Sequence, residues 1–314
     1  MAKILDCTFR DGGYQTNWNF SIPLVEDYLN LIHGLGVEIA EIGFRSALKS
    51  ENQDSGPFLF SDEEFLNSLS LPDTLQIAVM INSDEISEVK TEVNSLFSPA
   101  VESTVSLVRM ASRINDVKKS HEIAIQLQDK GYKVALNLME SSPELISSKK
   151  FLQINGLLEA FDYVFLADSF GILSPTEINE MDSIFKETRS DYGLHLHDNR
   201  GLAFANALAA KQNGVLWLDS TAAGLGRGAG NLRTEQLIID SCSEETLLST
   251  EFSQLLTLMQ TLSEGSLEQW PRVLNPLYFL GARFNVHPNV VLNLIRDADP
   301  ELAIKHIIGQ GSSN

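Results

Sequence analysis

The sequence has little cysteine and few basic residues. Its two cysteines, Cys7 and Cys242, lie far apart and show no metal-type spacing. This scarcity argues against a disulfide-stabilised secreted domain and is typical of reduced thiols in a cytoplasmic protein. Lys and Arg number 23 against 42 Asp and Glu, a formal net charge of −19. Because so acidic a chain repels phosphate groups, we expect it to bind neither nucleic acid nor anionic membrane surfaces.

Long hydrophobic runs are also missing. The N-terminal segment MAKILDCTFRDGG contains only a short apolar stretch, so we expect neither a secretory signal nor a membrane span there. Hydrophobic residues still make up 43% of the chain, and the mean hydropathy is −0.04. These values indicate a globular protein with a sizeable core, and we expect it to be cytoplasmic.

Eight short apolar segments rich in β-forming residues alternate with longer amphipathic segments. They recur about every 30 residues, the length of a strand-helix unit, which predicts parallel strands joined by helices. The segments are 3–9, 37–44, 75–81, 104–110, 133–139, 162–168, 192–197 and 215–221. Eight units in about 240 residues match a (β/α)8 barrel better than an open doubly wound sheet, whose G-x-G-x-x-G loop the segment DGGY does not supply. The predicted fold class is therefore an α/β TIM barrel.

The domain prediction follows from this count. Residues 1–242 form the predicted barrel, and residues 243–314 show a helical pattern that is short for a second catalytic domain. We expect a C-terminal helical extension that packs on the barrel or on a neighbouring subunit. Its aromatic residues suit a homodimer interface or an intrachain core. They are Trp270, Tyr278, Phe279 and Phe284.

Polar residues stand at or near the ends of the predicted strands. In a barrel these positions converge on the C-terminal rim, where the active sites of this fold are built. They are Arg10 with Asp11, Arg45, Asn82, Arg109, Asn137, Asp168 with Ser169, His197, and Ser220 with Thr221. Any one of them has an ordinary explanation, since a strand has to end in something polar. Taken together they predict the catalytic rim.

Two histidines in the seventh predicted strand suggest a metal site. His195 and His197 are two positions apart, so their imidazoles share one face of the strand and can hold one cation. Asp11, at the end of the first strand, would complete a set of two imidazoles and one carboxylate with open positions for a substrate. An ordinary polar strand pair and an Asp-Gly turn are the alternatives. The hard ligands favour Mg²⁺ or Mn²⁺, and the imidazoles also admit Zn²⁺ or Co²⁺.

A glycine-rich loop, AAGLGRGAGN, covers residues 222–231 after the eighth strand. Loops in this position often bind anions through backbone N–H groups. Asn231 ends the loop, where it could offer an amide oxygen to the metal or cap the next helix. Arg227 lies within the loop and could bind a carboxylate or phosphate group of a substrate.

Three motifs in order, LDCTFRDGG, HLHDNRG and GLGRGAGN, resemble the DRE-TIM metallolyase superfamily (HMGL-like) over residues 3–240. The segment DSFG at 168–171 is similar to its D-S-x-G motif. The glycine-rich loop looks most like that of the 4-hydroxy-2-oxovalerate-type aldolases. It lacks the cysteine of the hydroxymethylglutaryl-type lyases, and the chain is too short for the regulatory domain of the synthases.

The resemblance implies roles for single residues. Asp11, His195 and His197 would bind a divalent metal, Asn231 would complete or border that site, and Arg10 would stabilise an enolate. Tyr14 stands where the aldolases place a catalytic histidine. Tyr14, with a lowered pKa, and a metal-bound water are therefore the two candidates for the general base.

We predict a divalent-metal-dependent (class II) aldolase that makes or breaks a C–C bond through a pyruvate-like enolate of a 2-oxo acid. Its partners would be a small-molecule 2-oxo acid and an aldehyde. The resemblance also suggests a homodimer and an aldehyde dehydrogenase partner. The candidate substrate-binding residues are Arg45, Asn137, Asp168, Ser169 and Arg227.

Two other functions remain open. A Claisen-type transferase would condense an acyl-CoA with a 2-oxo acid and would need an acid-base pair from the C-terminal region, where His287 and His306 are found. A non-catalytic barrel would have a structural or lost metal site.

Overall fold

Eight parallel strands close into a barrel in sequence order, with β8 paired to β1. The computed structural model describes residues 2–48, 54–189, 191–266, 276–284, 286, 288–297 and 299–311. The strands are β1 (Lys3–Asp6), β2 (Ile39–Phe44), β3 (Gln76–Asn82), β4 (Val105–Ser112), β5 (Lys133–Leu138), β6 (Tyr163–Asp168), β7 (Tyr192–Leu196) and β8 (Trp217–Ser220). The predicted TIM barrel is confirmed.

Helices follow the strands and surround the barrel. Those that precede the C-terminal region are α1 (Thr8–Asp11), α2 (Gly13–Thr16), α3 (Ile22–Gly34), α4 (Glu63–Asn67), α5 (Val89–Leu96), α6 (Val117–Asp129), α7 (Pro143–Ile146), α8 (Lys149–Ile154), α9 (Pro175–Phe185), α10 (Ala203–Gln212) and α11 (Thr234–Ser241). Helix α3 begins with Pro23 in its first turn, and the Ser21 side chain before it makes no capping hydrogen bond.

The inside of the barrel is apolar at its base and charged above. A buried cluster fills the base; its members are Leu5, Cys7, Ile39, Ala78, Leu107, Ala135, Phe165 and Trp217. Side chains two positions apart on a strand share a face. The next inward positions along four of these strands are therefore Glu41, Arg109, Asn137 and Asp219, all buried. This alternation places charged side chains directly above an apolar floor.

The first strand is shorter than predicted, because the side chain of Asp6 turns the chain. Its Oδ1 accepts a hydrogen bond from the backbone N–H of Thr8 at 3.0 Å. Its Oδ2 accepts from the hydroxyls of Tyr28 and Thr234, each at 2.6 Å. The predicted strand residues after Asp6 therefore enter α1, and Arg10 lies on a helical turn over the barrel mouth instead of at a strand end.

The C-terminal region is helical where it is described. Its helices are α12 (Glu244–Leu247), α13 (Thr250–Ser266), α14 (Pro276–Arg283), α15 (Pro288–Asp297) and α16 (Pro300–Gly311). Helix α13 packs on α3, and buried residues of α13 and α16 belong to the same hydrophobic cluster as the barrel helices. The ring of Phe279 packs edge-on against Phe204 of α10, with centroids 4.7 Å apart. Trp270 lies outside the described residues, and the boundary at residue 242 stays a prediction.

In the described ranges, no helix has both the length and the apolar character that crossing a bilayer requires.

Candidate active site

Asp11 contacts side chains from three parts of the barrel: Arg10 beside it, His195 on β7 and Asn231 after β8. Its Oδ2 is 3.4 Å from Nε2 of His195 and accepts a hydrogen bond from Nδ2 of Asn231 at 2.9 Å. Its Oδ1 pairs with Nη1 of Arg10. The ring of His197 lies 5.1 Å from that of His195 between centroids. The predicted metal ligands and Arg10 are thus brought together, although they come from distant parts of the chain.

Buried ion pairs cross the barrel beneath this site. Nε of Arg10 donates to Oε2 of Glu41 at 2.6 Å. The other oxygen of Glu41 is 3.2 Å from Nη1 of Arg109, and Nη2 of Arg109 donates to Oδ2 of Asp219 at 2.6 Å. All four side chains are buried. Every ionic group is therefore matched by an opposite charge, the condition under which charges are tolerated in a protein interior.

His195 closes these pairs into a ring. Its Nδ1 lies 3.0 Å from Oδ2 of Asp219, while its Nε2 faces Asp11. Because an ionised carboxylate only accepts hydrogen bonds, the contact with Asp219 places a proton on Nδ1, and Nε2 is the ring nitrogen that faces Asp11. We call the six side chains the charge ring; they are Asp11, Arg10, Glu41, Arg109, Asp219 and His195.

The charge ring lowers the pKa values of Asp219 and Asp11. Burial by itself raises the pKa of Asp219, but the Arg109 guanidinium and the His195 hydrogen bond outweigh burial and hold it below its usual value. Asp11 behaves in the same way: the Arg10 charge and the two imidazoles bring its pKa below the usual value despite burial. Besides His195, the ring holds three carboxylates and two guanidiniums.

Burial, followed by the nearby His195, lowers the pKa of His197 to about 4. Its imidazole is therefore neutral at neutral pH, the form that binds metals.

Several buried polar atoms at the site have no protein partner. Among the described residues these include Nη2 of Arg10, Oδ1 of Asn231 and Oδ1 of Asn137. Buried polar atoms are nearly always paired, so unpaired ones grouped around one centre are candidates for contact with a ligand. A carboxylate, two imidazoles and the unpaired amide oxygen of Asn231 are oxygen and nitrogen donors that fit a divalent cation.

Cys7 also approaches this centre. Its Sγ is 3.8 Å from Oδ2 of Asp11 and 3.3 Å from the carbonyl oxygen of Ser220. Potential ligand atoms of Cys7, Asp11 and His195 all lie within 4.8 Å of one another. Burial, then Asp219 and Asp11, raise the pKa of the thiol well above its usual value. Cys7 is a free, buried cysteine that donates a hydrogen bond toward Asp11, in keeping with the reduced thiols expected from the sequence.

Tyr14 and Arg227 meet at the mouth of the barrel. The guanidinium carbon of Arg227 lies 4.5 Å from the centre of the Tyr14 ring. Tyr14 also packs edge-on against Trp18 and Phe44. Burial raises the pKa of Tyr14, only partly offset by the charges of Arg10 and Arg227. This is opposite to the lowered pKa that a tyrosine base needs.

Three of the predicted substrate-binding residues form hydrogen bonds within the protein. All three guanidinium nitrogens of Arg45 have partners, among them the carbonyl of Ser61 and the carboxylate of Glu63 at 2.9 Å. The carboxylate of Asp168 accepts hydrogen bonds from the backbone N–H groups of Ile172 and Leu173.

Ser169 Oγ accepts a hydrogen bond from the N–H of Glu140 at 2.9 Å. We therefore leave Arg45, Asp168 and Ser169 out of the proposed site, because a polar residue at a strand end can turn toward the loops as readily as toward the barrel axis. Asn137 and Arg227 stay in it.

Sequence reasoning missed Glu41 and Asp219 and considered Arg109 only as a rim arginine. The available signal was an ionisable residue at an inward position of a buried strand, two residues after Ile39, Leu107 or Trp217. The residues around each charge do not show which of these side chains pair across the barrel.

A family model described as HMGL-like matches residues 72–262, more than half of the chain. The chain belongs to the HMGL-like family. This membership confirms the resemblance predicted from the three motifs.

Curated relatives agree with it. A 4-hydroxy-2-oxovalerate aldolase of Pelotomaculum thermopropionicum is 28% identical over 249 residues, covering 75% of this chain and 68% of the relative. One of Moorella thermoacetica is 24% identical over 306 residues, covering 94% and 86%. The names of these relatives are those of carbon–carbon lyases, the class of enzyme predicted for this chain.

Solved structures show the same fold. The N-terminal domain of an aldolase candidate from Bacteroides vulgatus matches with a TM-score of 0.74 at 28% identity, covering 96% of this chain and 98% of that one. An HMG-CoA lyase of Bacillus subtilis matches with a TM-score of 0.65 at 17% identity, covering 88% and 97%. The second likeness shows the fold alone.

Proposed function

We propose that the protein is a divalent-metal-dependent aldolase that forms or cleaves a C–C bond through a pyruvate-like enolate of a 2-oxo acid. The observation that carries the proposal is the unpaired Nη2 of Arg10, a buried donor beside the Asp11 carboxylate. Family membership and the aldolase relatives support it.

Asp11, His195, His197 and Asn231 would hold the metal. When bound, the ion would act as a Lewis acid on the keto acid. The oxygen and nitrogen donors favour Mn²⁺ or Mg²⁺, with Zn²⁺ or Co²⁺ also compatible. The charge ring would contribute by accepting the Nδ1 proton of His195 at Asp219, so that Nε2, which faces Asp11, is the nitrogen offered to the metal.

Arg10 would stabilise the negative charge that develops on the enolate oxygen. Two of its nitrogens are engaged by Glu41 and Asp11, which fixes the direction of the third. A fixed donor in a water-poor site stabilises a developing charge without having to reorient. Burial of the guanidinium beside the Phe44 ring, 5.9 Å away, keeps water from competing for that donor.

The role of Tyr14 changes relative to the sequence prediction. A phenol with a raised pKa remains protonated at neutral pH, so we propose that Tyr14 donates a hydrogen bond at the mouth and does not act as the base.

Exchange of the pyruvate methyl protons, followed by NMR in deuterated buffer, tests the proposal. The protein loaded with Mn²⁺ or Mg²⁺ should catalyse exchange that a chelator abolishes. Zn²⁺ and Co²⁺ are tested in parallel. Asp11→Asn should lose it, while Asp182→Asn, which alters a buried carboxylate bonded to Tyr192, should keep it. Absence of exchange with every metal would refute the aldolase function.

A release assay with acetyl-CoA addresses the Claisen alternative, because an aldolase releases no free CoA. His287 lies outside the described residues, and His306 is exposed and pairs with Gln310. The cytoplasmic location, the homodimer and the aldehyde dehydrogenase partner stay predictions.

A further inference from the structure

The loop that carries Arg227 is held in place from two sides. The carbonyl oxygen of Gly226 accepts a hydrogen bond from Nε2 of Gln15 at 2.7 Å. Oδ1 of Asn199 accepts one from the N–H of Ala229 at 3.0 Å. The backbone on both sides of Arg227 is therefore fixed relative to the barrel mouth.

Two glycines are required for this shape. A Cβ at Gly226 would come within 2.6 Å of the Asn231 amide. Gly228 has a φ of +66°, and a Cβ there would lie 2.6 Å from Oδ1 of Asn199. Only glycine allows such approaches without strain. The loop thus lies directly against Asn231, which itself donates to Asp11.

Arg227 differs from Arg113, an arginine that directly follows β4. Arg113, also exposed, forms ion pairs with Glu140 at 3.2 Å and Asp84 at 3.8 Å. Arg227 has no carboxylate within ion-pair distance in the part of the chain that the structure describes, and its guanidinium is held over the Tyr14 ring. In a chain with a net charge of −19, this is an uncompensated cation placed beside the site.

Backbone donors accompany this charge. The N–H groups of Gly226, Arg227 and Gly228 have no acceptor among the described residues. Consecutive free N–H groups next to a guanidinium are a common way of binding carboxylate and phosphate groups.

We propose that the acceptor aldehyde carries an anionic group, a carboxylate or a phosphate, which binds to Arg227 and the neighbouring backbone N–H groups. This inference rests on the proposed aldolase function. In the reaction, the pyruvate methyl carbon loses a proton and bonds to the aldehyde carbon, whose oxygen gains a proton. The anionic group does not react. It holds the aldehyde at the mouth while Arg10, deeper in the barrel, faces the enolate.

The test compares charged and neutral aldehydes in condensation with pyruvate. Succinic semialdehyde is paired with butanal, and glyceraldehyde 3-phosphate with glyceraldehyde, so the two pairs distinguish a carboxylate from a phosphate. The natural chain should favour the charged member of one pair by at least about 10-fold in kcat/KM. Arg227→Gln should lose about 10- to 100-fold on that aldehyde, mainly through KM, and little on the neutral one. Arg113→Gln is the matched control and should change neither.

Arg227→Lys keeps the charge and should therefore retain part of the preference for the charged aldehyde. It shows whether the loss in Arg227→Gln comes from the missing charge or from a disturbed loop. No preference for a charged aldehyde in the natural chain, or equal losses on charged and neutral aldehydes in Arg227→Gln, would overturn the proposal. Pyruvate methyl exchange is measured in parallel on every variant. If the natural chain exchanges the pyruvate methyl protons but shows no preference for a charged aldehyde, only the anionic acceptor is refuted. If the natural chain shows no exchange, the aldolase function itself is refuted.

Discussion

Oδ2 of Asp219 lies 3.0 Å from Nδ1 of His195 and 2.6 Å from Nη2 of Arg109. One carboxylate oxygen thus receives a hydrogen bond from a proposed metal ligand and from a buried cation. The arginine keeps the carboxylate ionised, and the carboxylate keeps the proton of His195 on Nδ1. The orientation of a proposed ligand therefore depends on residues that are separated from the site by one or two side chains.

Asp219→Asn should weaken metal binding by about 10- to 100-fold, because an amide no longer fixes the imidazole as firmly as a carboxylate. Titration calorimetry with Mn²⁺ measures the affinity. The ¹⁵N shifts of the His195 ring should also show a change in the mixture of tautomers. Asp182→Asn alters a carboxylate outside the charge ring and should leave the affinity unchanged; a similar loss there would contradict this role for Asp219.

Arg109→Met should reduce the free energy of unfolding by about 3–5 kcal/mol, because it leaves the buried carboxylates of Glu41 and Asp219 without their shared cation. Urea unfolding provides the measurement. Arg113→Met removes ion pairs that are half exposed and should cost less than about 1 kcal/mol. Equal costs for the two variants would mean that the charge ring adds no stability of its own.

His197 should make the metal-free protein sensitive to acid. Its pKa is lowered to about 4 in the folded chain, chiefly by burial, and is about 6.5 when unfolded. Between these values the unfolded chain binds a proton that the folded chain does not, so stability falls as pH falls, by about 3 kcal/mol in total.

Unfolding free energies measured with chelator from pH 7.5 to pH 4.5 should show this slope, and His197→Asn should flatten it. The exposed His306 offers the control, since His306→Asn should keep the slope. An unchanged slope in His197→Asn would exclude His197 as its source.

Tyr14→Phe should keep pyruvate exchange within about 10-fold of the natural rate, because a protonated phenol supplies a hydrogen bond and not a base. Loss of a general base typically costs about 10²- to 10⁴-fold. Rates measured across pH separate the two roles, with Tyr163→Phe, at the base of the barrel, as the control. A loss within the larger range would restore Tyr14 as the base.

The barrel was predictable from the sequence because its eight strands carry a regular apolar pattern. The gathering of Asp11, His195, His197 and Asn231 was predictable because strand ends of a barrel meet at one rim. The directions of Arg45 and Asp168 were not, since their partners are loop carbonyl and N–H groups whose positions depend on the folded loops.

The charge ring could not be predicted from the sequence either. Glu41, Arg109 and Asp219 lie on β2, β4 and β8. None of these three strands pairs with another of the three. Their contacts arise only when the barrel closes and the side chains cross its interior. A sequence shows three charges in apolar strands, and their pairing follows from the three-dimensional arrangement.

The position of Asp11 has a consequence for synthesis of the chain. Asp11 leaves the ribosome before its two partners, because the imidazole beside it belongs to His195 and the amide that binds it belongs to Asn231. Until Asn231 has been synthesised, a nascent chain therefore presents isolated carboxylates and histidines, without a complete binding site for a cation. Metal capture would coincide with joining of the first and last strands, so an incomplete chain would not acquire the ion.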